Sequence, residues 1–157
     1  MSRPQTLEEF RCAQCAHVVS KAHWISGVNN RNHCPYCLWS RHLDLYKAGD
    51  RLSACKAPMQ PLALTTKRSR NKYSRGRGEL MLVHLCTDCG NVSINRVAAD
   101  DNAYTLLEVF NDSCALPEWT LSLLLENKID VLSPGNLPQV HLQLFGGVTN
   151  IRLAGMA

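Results

Sequence analysis

The sequence predicts an α+β protein, with short β hairpins over roughly its first hundred residues, then two helices and a short late strand. Two observations predict it. Seven of the eight cysteines lie before residue 90, and two of their three Cys-x-x-Cys pairs border strand-like runs. From residue 100 the texture changes, and apolar residues recur at helical spacing behind a polar start.

Cys12-Ala-Gln-Cys15 runs into Val18-Val19, a knuckle leading into a strand. Cys34-Pro-Tyr-Cys37 follows after 18 residues, and Cys55 stands single. Cys86-Thr-Asp-Cys89 sits between Leu80–Leu85 and Val92–Val97, which reads as a hairpin. Gly90, just past the second cysteine, permits the positive φ of a tight turn. Residues 65–78 form the one biased segment, with six basic residues between Lys67 and Arg77 and no acidic one. It has no apolar period and contains Gly76 and Gly78, so it reads as a loop.

Ala103, Leu106, Leu107 and Phe110 fall at i, i+3, i+4 and i+7, one stripe of a helix. Asp100, Asp101 and Asn102 before it supply N-terminal capping chemistry. Pro117 suits the first turn of a second helix through about Lys128. Ser133–Asn136 and Pro138 are expected to end it. Val140, Leu142 and Leu144 alternate with His141 and Gln143, the pattern of the short late strand before Gly146-Gly147. The organisation expected is a module at 8–102, a helical extension at 103–147 packed on it, and a tail at 148–157.

The 157 residues suit one ordinary domain, or a small metal module with an extension. No run approaches 18 apolar residues, so no membrane span is expected. The N-terminus lacks an apolar core, so no secretory signal is expected and the location predicted is cytoplasmic or an organelle matrix. There cysteines serve as metal ligands more readily than as disulfides. Cys114, alone among apolar residues, reads as a buried thiol.

Two Cys-x-x-Cys pairs supply four thiolates, the set of a closed tetrahedral zinc site that supports folding and leaves no place for an activated water. Cys12, Cys15, Cys34 and Cys37 have that form, against the plainer reading of chance clustering among buried cysteines. The hairpins are therefore of zinc-ribbon type. Cys55, Cys86 and Cys89 are three quarters of a second site, so two zinc ions are expected. Its fourth ligand is His84, on the same strand face as Cys86, or His42, from the first module. Cys114, a water, or closure of Cys86/Cys89 on an earlier pair are the other possibilities. Either histidine also reads as an ordinary structural residue.

Arg31-Asn32-His33-Cys34-Pro35 spells RNHCP. It continues as Tyr36-Cys37-Leu38-Trp39-Ser40-Arg41-His42-Leu43-Asp44, with Gly49-Asp50-Arg51, Cys55 and Met59 downstream. His84–Gly90 and Asn95–Asn102 complete the series. Together these resemble the RNHCP domain family over roughly residues 8–102. The resemblance implies a small zinc-ribbon-type domain without an established activity. Ala99 before Asp100 and Ala57 after Cys55 stand where the pattern leads us to expect glycine, and neither departure removes a ligand.

Residues 1–99 carry 15 Lys and Arg against 6 Asp and Glu; residues 100–157 carry 2 against 7. A basic front suggests a polyanion partner, RNA or DNA, although the two halves also attract one another. Lys67, Arg68, Arg70, Lys72, Arg75 and Arg77, with Arg31, Arg41 and Arg51, are the candidate phosphate contacts. Without the six charges of 67–77, the net charge of +4 would become −2. Tyr36, Trp39 and Tyr73 are candidates to stack on bases, with packing beside the zinc as the plainer role of Trp39. Two alternatives stand beside this. A metal-dependent nuclease or other hydrolase would draw on His33, His42, Asp44, Asp100 and Asp101. A protein-interaction module would use the Leu-rich stretch 116–132, whose plainer role is core packing.

Overall fold

The computed structural model describes residues 8–67 and 78–146. Strands β1 (Glu9–Arg11) and β2 (Val18–Ser20) form a two-stranded antiparallel ribbon, with Phe10 opposite Val19. A single helical turn, α1 (His23–Ser26), follows. Strands β3 (Ser40–Arg41), β4 (Pro58–Lys67), β5 (Glu79–Cys86) and β6 (Val92–Arg96) form a second antiparallel sheet in that order. Helices α2 (Ala103–Ser113), α3 (Glu118–Glu126) and α4 (Leu137–Phe145) follow among the described residues, with a 3-10 turn at Pro134–Asn136 leading into α4. The fold is α+β, as expected. No described helix is long and apolar enough to cross a membrane.

Strand β5 explains the packing. Its run Leu80-Met81-Leu82-Val83-His84 is buried without a break, as a central strand covered on both faces must be. Leu80 and Leu82 point to one side and join Leu38, Leu64, Leu106, Val109, Phe110, Leu132 and Val140. Val83 points to the other and joins Ala63 and Leu124. Beyond a register shift between Pro61 and Ala63, ordinary strand alternation puts Ala63 and Leu64 of β4 on opposite faces, one in each core. Helices α2 and α4 therefore cover one face, and α3 the other. The first core draws on both the front of the chain and its helices, so residues 103–146 are packed into the module itself.

Helix α2 starts as its sequence indicates, with the Asn102 side chain accepting hydrogen bonds from the N–H groups of Tyr104 and Thr105. The expected late strand is instead helix α4. Leu137, Val140 and Leu144 are spaced i, i+3 and i+7, and these are the residues that pack on the core. Pro138 does not end the preceding helix; it sits in the first turn of α4, where a missing N–H costs nothing. The helices behind the sheet thus number three among the described residues. Cys114 is exposed at the C-terminus of α2, its thiol donating to the Phe110 carbonyl at 3.5 Å, so it is not the buried thiol expected.

Candidate metal centres

The three Cys-x-x-Cys pairs fold alike. In each, the residue after the second cysteine takes a left-handed conformation: Ala16 (φ 65°), Leu38 (φ 65°) and Gly90 (φ 73°). Its N–H donates to the first cysteine's carbonyl, as Ala16 to Cys12, Leu38 to Cys34 and Gly90 to Cys86. The first cysteine's N–H in turn donates to the carbonyl one residue further on, at His17, Trp39 and Asn91. This closed turn aims both sulfurs of a pair at one point. Only Gly90 advertises the turn in its residue type; Ala16 and Leu38 adopt a conformation that costs a non-glycine residue roughly 1–2 kcal/mol.

Cys12 and Cys15, between β1 and β2, meet Cys34 and Cys37, just before β3. The Sγ atoms of Cys12 and Cys37 lie 3.5 Å apart, and those of Cys15 and Cys34 3.6 Å. These distances are too long for a disulfide. They approach the edge of a zinc-sized tetrahedron, ~3.8 Å for four sulfurs at a Zn–S length of 2.3 Å. His17 Nδ1 sits 3.2 Å from Cys15 Sγ, and its ring stacks on exposed Tyr36 at 4.4 Å.

The second group joins His42 to Cys55, Cys86 and Cys89, with all ligand atoms within 4.8 Å of one another. Cys55 and Cys86 approach to 3.6 Å, and Cys89 Sγ lies 3.3 Å from His42 Nδ1. Of the two candidate histidines, the structure brings His42 to the thiols and not His84. His84 Nε2 lies 2.7 Å from the Leu38 carbonyl, which only accepts, so Nε2 carries the proton; Nδ1 then accepts from Asn95 Nδ2 at 2.9 Å. Full burial pushes His84 down to about 3, so it is neutral. Cys114 joins neither group. The carboxamide of Asn91 lies 3.3 Å from His42 Nε2.

The thiols need a cation. Burial drives Cys34 up to about 11 and raises Cys37 as well. In each group one cysteine goes the other way. At Cys12 burial is outweighed by the N–H groups of Cys15 and Gln14; at Cys86 it is outweighed by those of Cys89 and Asp88, which bring it to about 6. Backbone N–H donors thus favour the thiolate at Cys12 and Cys86, while burial opposes it at Cys34, Cys37 and Cys89. A divalent ion is the charge that lets the others ionise. Both donor sets fit zinc: four sulfurs in the first, and three sulfurs with one imidazole in the second. All four positions of each are protein atoms, the form of a structural site.

Beside the first centre, the Arg31-Asn32-His33 run is a lock. Arg31 is buried, with Nη1 2.8 Å from Asp100 and Nη2 3.3 Å from Asp101, and its Nε donates to the His33 carbonyl. His33 Nε2 lies 2.7 Å from Asp101, whose carboxylate also accepts the Ala98 N–H. The Pro35 carbonyl accepts the N–H of Asn102, which caps α2. Arg31 is therefore not the phosphate contact expected; its guanidinium is wholly buried against two carboxylates. Asn32 ties the module to the loop after β3, donating to Asp44 and accepting from Arg51. Asp50 folds that loop by accepting from the N–H groups of Leu45, Tyr46, Lys47 and Leu52, and these hold its carboxyl below the usual carboxylate range. Gly49 (φ +85°) lies so close to Asn30 that a Cβ there would come within 2.5 Å of the Asn30 amide.

Of the other candidate contacts, Lys67 is exposed at the end of β4. Arg41 is exposed, its guanidinium donating to the Lys56 carbonyl. Arg68, Arg70, Lys72, Tyr73, Arg75 and Arg77 lie outside the described residues. Trp39 is half-buried. Within 116–132, Leu124 is buried in the core, while Trp119, Leu121 and Leu125 are exposed. A family model described as RNHCP domain matches residues 7–107 of the chain. No curated protein and no solved structure matches it.

Proposed function

The chain belongs to the RNHCP domain family, and from that premise we propose that it is a zinc-stabilised module that binds RNA or DNA through its basic segment. The observation that carries the reading is where that segment leaves the fold. Six basic residues run from Lys67, at the end of β4, towards β5, the central strand of the zinc-held sheet. Gln143 of α4 accepts from the Leu80 N–H and donates to the Gly78 carbonyl, fastening the far end. A polyanion would meet a dense positive stretch on a rigid base. Exposed rings support the same reading: Tyr36, Tyr46 and Trp24 all stand on the front part of the chain. Both candidate centres are closed sets of protein ligands, which favours a scaffold over a catalyst.

The test is binding of a labelled single-stranded oligonucleotide across a salt series. Affinity is expected to fall steeply with salt, and neutralising Lys67 to Arg77 is expected to weaken binding and flatten the slope without changing zinc content. No binding at low salt would remove the reading. A second reading, a protein partner at α3, rests on exposed Trp119, Leu121 and Leu125. Replacing Leu125 with a charged residue would abolish such an association and leave oligonucleotide binding intact.

A further inference from the structure

The loop after β3 and strand β6 enclose a cavity of about 200 Å³ beside the second metal group. This is below the ~300–1,000 Å³ usual for drug-sized ligands, and suits a single ring system. Its lining is chemically sorted. Asp44 and Asn95 contribute hydrogen-bond acceptors, Tyr46 an aromatic face, and Arg41 and Lys47 positive charge.

The two acceptors are held in place from behind. His84 donates from Nε2 to the Leu38 carbonyl, which leaves Nδ1 to accept from Asn95 Nδ2. Asn95 Nδ2 also donates to Ser93 Oγ at 3.4 Å. The amide nitrogen is thereby engaged and Oδ1 has no partner among the described residues. Because no buried side-chain oxygen or nitrogen there is left unpaired, Oδ1 is open to solvent or ligand. Asp44 is fixed in the same way. One oxygen accepts from Asn32 Nδ2 and the other from the Arg51 N–H, both at 3.1 Å, and the side chain keeps 18% exposure. Asp44 Oδ1 also faces the Arg51 guanidinium at 3.8 Å, so Oδ2, which accepts from Asn32 alone, is the oxygen with a lone pair to offer. Preset acceptors favour a ligand that brings an amino group with two N–H donors over one that offers a single N–H between two carbonyls. The Tyr46 ring, 84% exposed, supplies a stacking surface, and Arg41 and Lys47 suit a phosphate.

We infer that this cavity takes one nucleotide unit whose base carries an exocyclic amine, adenine, cytosine or guanine in preference to uracil. The inference deepens the proposed nucleic-acid reading and rests on it, but the basic segment and the cavity draw on different residues and have separate readouts. The first would supply affinity and the second base preference.

The experiment compares labelled oligo(rA), oligo(rC) and oligo(rU) of equal length at one salt concentration, for the full chain and for Asp44→Asn and Tyr46→Ala. The rA and rC strands are expected to bind about tenfold more tightly than rU, the scale of one or two hydrogen bonds. Asp44→Asn turns an acceptor into a donor and is expected to remove the preference, with zinc content unchanged. Tyr46→Ala, at an exposed position that cannot compromise folding, is expected to weaken all three strands by about tenfold through lost stacking. Equal binding of the three strands with an intact salt slope would overturn the cavity inference and leave the basic-segment reading standing. If no strand binds, that reading falls, and titration with AMP, CMP and UMP decides the cavity alone. Saturable AMP or CMP binding that Asp44→Asn abolishes would support it as a free-nucleotide site; no binding, or equal binding of UMP, would overturn it.

Discussion

Single residues decide which groups ligate and which merely brace. His42 reaches the second group through Nδ1, so with a metal bound Nε2 carries the proton, and the Asn91 amide, whose Nδ2 faces it at 3.3 Å, would turn its oxygen to accept that proton. Asn91→Leu is therefore expected to weaken zinc at the second site by roughly 10–100-fold and leave the first unchanged, while Asn91→Asp retains binding; chelator competition reads both. Arg31 illustrates the opposite case. Arg31→Ala would leave Asp101 buried beside His33 without its guanidinium, a loss of about 3–5 kcal/mol readable by denaturant unfolding. The four cysteines of the first group were legible from spacing alone, and so were Cys55, Cys86 and Cys89 as members of a second. The choice of histidine was not. Strand alternation puts His84 on the face of Cys86, but two strand residues displace it by ~6.6 Å, back under the Leu38 turn and away from the point at which the knuckle aims. The role of Arg31 was hidden for another reason: its carboxylate partners lie 69 and 70 residues further along the chain.

At the scale of elements, local pattern was a good guide wherever one period alone ran through a segment. Strands β2, β5 and β6 and the cap and stripe of α2 all lie where periodicity and capping residues put them. Helix α4 misleads because two periods coexist in it. Val140, Leu142 and Leu144 alternate as in a strand, while Leu137, Val140 and Leu144 fit a helix, and only the core at Leu80 and Phe110 selects between them. Phe110 is the contact that makes α2 part of the sheet's core, with 1% exposure. Phe110→Ala is expected to cost about 3–5 kcal/mol. If α2 is integral to the module, that variant will still unfold in a single transition, with sheet and helix signals moving together. Two separate transitions would show the helices to be a dispensable appendage.

For the whole molecule, the two metal groups stand on either side of β3 and do work that the small apolar clusters around them cannot. The first group's cluster adds only Val19 and Phe10 to its cysteines, and the second's only Ala57 and Met59. Zinc binding there is folding free energy, whereas the Leu-rich core at the other end of the sheet holds α2 and α4 without metal. The most direct test of the central claim is the zinc content of the purified chain measured together with zinc K-edge absorption. The structure predicts two ions per chain, sharing seven sulfurs and one nitrogen with no oxygen ligand. A single ion, or an oxygen in the coordination shell of the second, would contradict it.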